Sequence, residues 1–328
     1  MSFATEITLQ GPYRSPAQLL ASQQVDGHLS LHDESTAALA GLTGAPIEGP
    51  THFSQVEPLA ALVWGLGWFE RGCISGHFRT MVMEGEQVQA SLTVGGAAAA
   101  PIEVHKPDRS IVLVGSASVG PDHGQTYLDI LRAKQMAPAE LFILDRLEIG
   151  MTSGGEVTSV SMDETNGAMY PFSMADKLGC ITEPHPWYTS EGGARSPWRR
   201  PVLPMEMISV LAMKTGHSWP VRSPAFSLFL DLEIRLLAGP LFVDQPYRLA
   251  REIVGLSQSR RTESYWARTQ LTDAQTGILA AEVLLHSGFF KESFPGYPRE
   301  KLTALTRSRH RGVRHQGTPN VPPSITIR

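Results

Sequence analysis

The sequence predicts an α+β protein in which one unit is used twice, each copy a long apolar helix followed by antiparallel strands. Three observations carry that expectation. Helical signals begin at Ser54 and at Pro204, an offset of 150 residues in a chain of 328. After each of them the hydrophobic period switches from 3.6 to 2 and stays there for several strand lengths. Hydrophobic residues make up 42% of the chain and charged residues 18%, enough apolar material for a packed core. The length suits two units at roughly 100–200 residues per domain.

The elements follow in order. GHLSLHD (27–33) reads as a short strand and STAALAGLTG (35–44) as a short helix stopped by Gly44. SQVEPLAALVWGLGWFERG (54–72) then carries the best helix signal in the chain. Ser54 and Glu57 have capping-box spacing, in which the hydroxyl takes an amide of the first turn and the carboxylate reaches back. Pro58 falls in that first turn, where its missing donor costs little. Leu59, Leu62, Val63 and Leu66 form an apolar stripe that Trp64, Trp68 and Phe69 widen, so this helix is expected to be mostly buried. CISGHFRTMVM (73–83) and GEQVQASLTV (85–94) read as long strands joined by a tight turn at Glu84–Gly85. GGAAAAP (95–101) reads as a hairpin tip and SIVLVGSASVG (110–120) as a further strand. Alternation along the first of these strands places His77 where it can meet the other copy.

The second half replays this order. EVTSVSMDE (156–164) and MYPFS (169–173) are strand-like, and Ser173 with Asp176 can cap the short helix MADKLG. A long loop leads to the second main helix, PMEMISVLAMKTG, starting at Pro204. SLFLDLEIRLLAG (227–239), QPYRLAREIVGLSQS (245–259), TESYWARTQLTD (262–273) and GILAAEVLLHSGFF (277–290) all read as strands. One long helix wrapped by a curved antiparallel sheet is the hotdog arrangement, and two fused copies make a double hotdog. A lone copy leaves sheet edge and helix surface uncovered, and fusion supplies the pairing within one chain. The expected division is residues 1–150 for the first hotdog, 151–292 for the second with an active-site-like loop at 180–203, and 293–328 for a basic tail containing several prolines. Two unrelated α+β domains are the competing reading.

Charge and cysteine content narrow the function. Lysine and arginine number 28 against 32 acidic residues, a net charge of −4, which argues against a dedicated nucleic-acid binder. The tail holds seven basic residues and one acidic, a net of +6 that leaves −10 on the rest. Its stretch RSRHRGVRH (307–315) reads as a phosphate- or partner-binding segment or as a solvated extension. Two cysteines, Cys73 and Cys180, exclude a disulfide scaffold and a cysteine-rich zinc site, the histidines show no metal-like spacing, and no metal site is expected. No run reaches 18 uninterrupted apolar residues and the N-terminus lacks a signal-peptide pattern. No membrane span is expected, and the cytoplasm is the expected location.

Two stretches resemble the MaoC-like acyl dehydratase and (R)-specific enoyl-CoA hydratase family of hotdog proteins. GPTHFSQVEPLAALVWGLGWFERGCISGHFRTMVMEGEQVQA (49–90) is similar to that family's central helix and the strand–turn–strand after it. TEPHPWYTSEGGARSPWRRPVLPMEMISV (182–210) resembles its overhanging segment D-x-N-P-x-(H/Y), followed by an alanine–arginine pair, a tryptophan and a proline-rich entry to the helix. Strands included, the resemblance covers roughly residues 27–120 and 156–290. It implies a hydro-lyase that adds or removes water at the 2,3 position of an acyl-CoA thioester, with coenzyme A arriving as part of the substrate and no separate cofactor. It leaves a homodimer open. In the family an aspartate and a histidine five residues later activate the water. Here Pro186 keeps its place, while Glu183 stands at the aspartate, His185 at the asparagine and Tyr188 at the histidine.

Adding water beside a thioester carbonyl needs a base, an acid and donors for the enolate oxygen. Glu183 and His185 sit two residues apart in a stretch braced by Pro184 and Pro186, on one side of an extended chain. They are the expected catalytic pair, with Tyr188 as a helper donor. His52 is expected at the mouth of an acyl tunnel. The expected substrate contacts are Trp187, Ser54 and the guanidinium cluster Arg195, Arg199 and Arg200, whose forks suit the phosphates of coenzyme A. Each has a plain structural alternative: a rigid surface loop, a histidine satisfying backbone groups at a helix start, a solvated basic loop. A thioesterase on the same fold would instead take its base from a helix carboxylate, Glu57 or Glu206. A non-catalytic acyl-binding or partner subunit would need no base.

Overall fold

The computed structural model describes residues 5–25, 28, 30–39, 41–135, 138, 140–215 and 219–298. Its strands are β1 (Ile7–Gln10), β2 (Gly72–Phe78), β3 (Gln89–Val94), β4 (Ala100–His105), β5 (Ile111–Val119), β6 (Thr152–Thr158), β7 (Ser227–Leu236), β8 (Tyr247–Gln258), β9 (Thr262–Asp273) and β10 (Leu279–Phe290). Its helices are α1 (Glu34–Leu39), α2 (Thr51–Trp64), α3 (Leu66–Arg71), α4 (Tyr127–Arg132), α5 (Met174–Cys180), α6 (Ser190–Gly193) and α7 (Met205–Met213). All ten strands join in one sheet, and every pairing is antiparallel. At its centre β2 pairs with β7, from Cys73 opposite Arg235 to His77 opposite Asp231. Outward from that seam the order is β5, β4, β3, β1 on one side and β10, β9, β8, β6 on the other.

The two main helices pack on each other and on the sheet. Every residue of α7 is buried, as expected of a helix apolar on all sides. α2 packs against α7 and against β3 and β5, while α7 packs against β7, β9 and β10. Phe53, Val56 and Ala60 of α2 share one apolar core with Ile208, Leu211, Leu232, Ile234 and Leu249. A second apolar cluster gathers Ile143, Leu144, Tyr265 and Phe289. There the Glu263 carboxylate accepts the amides of Phe142, Ile143 and Leu144 at 2.8–3.1 Å, pinning the segment that leaves the first half.

Several sequence expectations meet the structure closely. β9 spans the expected 262–273, and β5, β8 and β10 begin within two residues of their expected starts. Ser173 and Asp176 form a complete capping box on α5. His77 does reach the other half, where its Nδ1 donates to Asp231 Oδ1 at 2.6 Å.

Others are corrected. The tight turn at Glu84–Gly85 forms, with the Glu86 amide on the Met83 carbonyl at 3.1 Å, but it joins no paired strands: β2 ends at Phe78, β3 begins at Gln89, and β2 lies between β5 and β7. Period-2 alternation marks extended chain but says nothing of its partner. Residues 79–88 connect the two strands around that turn, and within them Val82 accepts the Ile47 amide at 2.8 Å. The capping box at Ser54 and Glu57 is also absent. α2 starts three residues earlier, behind Pro50 with no side-chain cap, and Pro58 lies within it. Both polar side chains turn to α7 instead, as described below. The described residues of 27–33 and the segment 169–173 form no strand, whereas β1 and α4 went unread. Residues 299–328, the bulk of the basic tail, lie outside the described residues.

A buried polar cluster clamps the seam. Asp231 on β7 accepts from His77 of β2 on one oxygen and from His286 of β10 on the other, the latter at 2.5 Å. Burial pushes the Asp231 carboxyl up, but the two imidazoles outweigh it and hold it below the ordinary value of 3.8. A depressed carboxyl contributes stability above its unfolded value and loses it as pH falls through the folded one. Asp231→Asn is therefore expected to cost about 1–3 kcal/mol at pH 7. Urea midpoints should show that deficit, and it should shrink in acid below the carboxylate range.

Candidate active site

Glu48 and His52 stand on either side of the start of α2. The loop that carries Glu48 is held by the Ile47 amide on Val82, and His52 occupies the first turn of the helix. Both side chains are buried, at 4% and 2% exposure, and both line a cavity of about 460 Å³. Tyr170 joins them on that wall, and Phe229, Tyr265 and Phe289 from β7, β9 and β10 form another. The volume falls within the roughly 300–1,000 Å³ of typical ligand pockets, and an apolar lining with few polar groups is the usual character of such sites.

The pair has opposed electrostatics. Burial lowers the His52 imidazole to about 4, against weaker opposition from Gln55. The ring is thus neutral at pH 7. Its Nδ1–H donates to Gln55 Oε1 at 3.1 Å, a tautomer assigned from that partner, which leaves Nε2 as an acceptor. Burial raises the Glu48 carboxyl, with Lys177 pulling the other way. A neutral imidazole and a carboxyl whose proton affinity burial raises, on one cavity, can divide acid and base roles between two groups.

Behind them, a polar seam joins α2 to α7. Glu206 of α7 accepts Ser54 Oγ at 2.6 Å and Thr51 Oγ1 at 3.2 Å, and Lys177 Nζ lies 3.0 Å away. Glu57 of α2 accepts the Met205 amide at 3.1 Å and the Tyr188 hydroxyl. Burial lifts Glu57 to about 8. These two carboxyls each face the opposite helix, and neither lines the cavity.

The loop residues are placed elsewhere. Glu183 is held in a bidentate pair by Arg14, at 2.6 and 3.1 Å. His185 accepts the Trp187 amide on Nδ1 at 3.2 Å, and its ring packs among Phe69, Trp187 and Tyr188. Trp187 itself packs on Phe69 and Trp198. Arg195 is an exposed partner of Glu191, Arg199 is exposed with φ 58°, and Arg200 donates to Gln245 over the Phe242 ring. None of Glu183, His185, Trp187, Tyr188, Arg195, Arg199, Arg200 or Ser54 lines the cavity. Only an extended loop would set Glu183 and His185 on one side. The chain instead tightens into a 3₁₀ turn at Pro186–Tyr188 and then into α6, folding the loop onto its own aromatics.

Of the expected site residues, His52 alone reaches the cavity. Sequence reasoning passed over Glu48, Tyr170 and Arg79, the last exposed at the cavity wall. The available signal was local: a carboxylate, a proline and a histidine within five residues, directly before a buried helix. Among the described residues no group of three or more His, Cys, Asp or Glu is arranged to hold a metal ion, and no helix is long and apolar enough to cross a membrane.

No family model matches the chain, and no curated protein matches it. Solved structures do. A putative MaoC domain protein dehydratase from Chloroflexus aurantiacus superposes with a TM-score of 0.55 at 12% identity, covering 88% of this chain and 95% of that one. A conserved hypothetical protein from Mycobacterium tuberculosis, described as a double hotdog, gives 0.57 at 12% identity over 88% of this chain and 97% of its own. The chain has the hotdog fold. In this hotdog the sheet supplies the apolar wall of the cavity through β7, β9 and β10, and the first turn of α2 with the loop before it supplies the two titratable groups. The two contributions come from different halves of the chain and meet beside the β2–β7 seam.

Proposed function

We propose that the chain is a hydro-lyase that adds water to, or removes it from, the 2,3 position of an acyl-CoA thioester. Two tandem hotdog units, residues 1–150 and 151–292, enclose the acyl group, and Glu48 and His52 are the acid–base pair. The observation that carries this reading is a neutral, buried imidazole and a carboxyl of raised affinity for protons that line one largely apolar cavity. In hydration His52 Nε2 takes a proton from the water whose oxygen bonds carbon 3. The Glu48 carboxyl gives its proton to carbon 2. The imidazolium and carboxylate that result exchange a proton to restore the starting state. The amino end of α2 lies at this wall, and its dipole favours the charge that develops on the thioester oxygen. Arg79 is the cation placed to meet the phosphates of coenzyme A.

The test is a panel of trans-2-enoyl-CoA thioesters of increasing acyl size, followed by loss of enoyl absorbance and by mass. Water addition supports the reading. Release of free thiol without it marks a thioesterase, and saturable binding without turnover marks an acyl-binding subunit. The pH profile is a second check. A base must be deprotonated, so its limb falls where His52 protonates. Activity should hold from neutrality down to about pH 4, well below the ordinary imidazole range near 6.5. A limb at the ordinary value would remove His52 as the base.

A further inference from the structure

Lys177 lies on α5 with its side chain 1% exposed. Its Nζ is 3.0 Å from Glu206 Oε2, 3.6 Å from Glu48 Oε1 and 5.2 Å from the centre of the Phe172 ring. A buried ammonium is costly unless anions compensate it. One carboxylate is enough for a salt bridge, yet two converge here, and the second is the cavity residue. The two differ in their other partners. Glu206 already holds the Ser54 and Thr51 hydroxyls. Glu48 Oε1 has no hydrogen-bond donor, and the carboxyl's further anchor is the Leu19 amide. The charged and titratable groups around Glu48 are Lys177 and Cys180 from α5, Glu206 from α7, Tyr170 from the chain before α5, and His52 of α2 on the shared cavity wall. Lys177 is the cation among them.

We propose that Lys177 is a positioning residue for the Glu48–His52 pair: anchored on Glu206, its ammonium holds the Glu48 carboxyl at the cavity wall and sets how readily it takes and gives up a proton. This rests on the reading of Glu48 as the acid. Burial alone would hold the Glu48 proton too tightly to release it. An opposite charge within ~4–6 Å restores the balance, and removing that charge makes the carboxylate less favourable.

The test titrates Glu48 directly. Protein labelled with ¹³C at glutamate side-chain carboxyls is followed by NMR against pH, with Glu48 assigned from the signal missing in Glu48→Gln. Lys177→Met is compared with the unaltered protein. Because that variant leaves Glu206 buried beside an apolar group, Glu206→Gln/Lys177→Met is also compared with Glu206→Gln, where neutral groups replace the ion pair. Loss of Lys177 is expected to raise the Glu48 midpoint by about one unit or more in each comparison. The kcat/KM limb belonging to Glu48 should move up with it, at little change in KM. An unmoved Glu48 midpoint overturns the proposal, since a purely structural lysine would lower stability without shifting that titration. If the midpoint moves but the unaltered protein hydrates no enoyl thioester, the hydro-lyase reading falls and the positioning of Glu48 stands. If hydration is found and the midpoint does not move, the positioning falls alone.

Discussion

His52→Ala should lower kcat/KM for water addition by about 10²–10⁴-fold, the usual effect of losing a positioned general base. The ring sits in the first turn of α2, its Nδ1 is committed to Gln55, and it lines the cavity. Burial keeps it neutral at pH 7, so it is ready to accept a proton without first losing one. His52→Gln, which keeps bulk and polarity, should be as inactive as His52→Ala while folding with a near-normal denaturation midpoint. Glu183→Ala is the contrasting variant. It breaks a partly exposed pair with Arg14, worth about 0–1 kcal/mol, and should leave kcat/KM near that of the unaltered protein. The reverse result, an active His52→Ala and an inactive Glu183→Ala, would return the chemistry to the 180–203 loop and overturn the assignment.

Glu206→Ala should destabilise the fold by about 3–5 kcal/mol, the range for removing one partner of a buried ion pair. The residue is 2% exposed and compensates Lys177 at 3.0 Å. Its loss leaves the ammonium with Glu48 alone and strips the acceptor from Ser54 and Thr51. Three elements meet at that carboxylate, α2, α5 and α7, so the loss should appear as a lower midpoint of the whole unfolding transition. Glu206→Gln retains an acceptor and the side-chain volume and should cost clearly less. Denaturant unfolding of the two variants side by side checks this, and equal midpoints for Ala, Gln and the unaltered protein would show that the ion pair does not hold the helices together.

Much of the fold was legible in the chain. α7 and the strands β7 to β10 announce themselves through apolar runs and alternation, because burying one face or the whole of an element constrains residue type at each position. Ser173 and Asp176 were readable for a different reason: a capping box closes within four residues and needs no tertiary partner. Ser54 and Glu57 have the same spacing and failed, because α7 lies within reach and offers Glu206 and the Met205 amide. A local motif is overridden when a buried partner from another element competes for the same groups. The loop reading failed similarly. Glu183 and His185 carry the right chemistry, but Arg14 comes from 169 residues away to take the carboxylate, a contact that spacing does not record.

By itself the sequence determined the hotdog class of the fold and most of its long strands, because periodicity is imposed by burial and is written residue by residue. It also placed His52 at the entry to the first main helix. Only the tertiary structure decided which strands are neighbours, that the β2–β7 pair makes one sheet of the two halves, and that Glu48, His52 and an apolar wall from the other half share a cavity. The physical reason is range. Helices, caps and alternation are set by groups a few residues apart, whereas desolvation and pairing of titratable groups depend on what the folded chain brings within a few ångströms. The chemistry of this site therefore came into view only when its two halves were seen together.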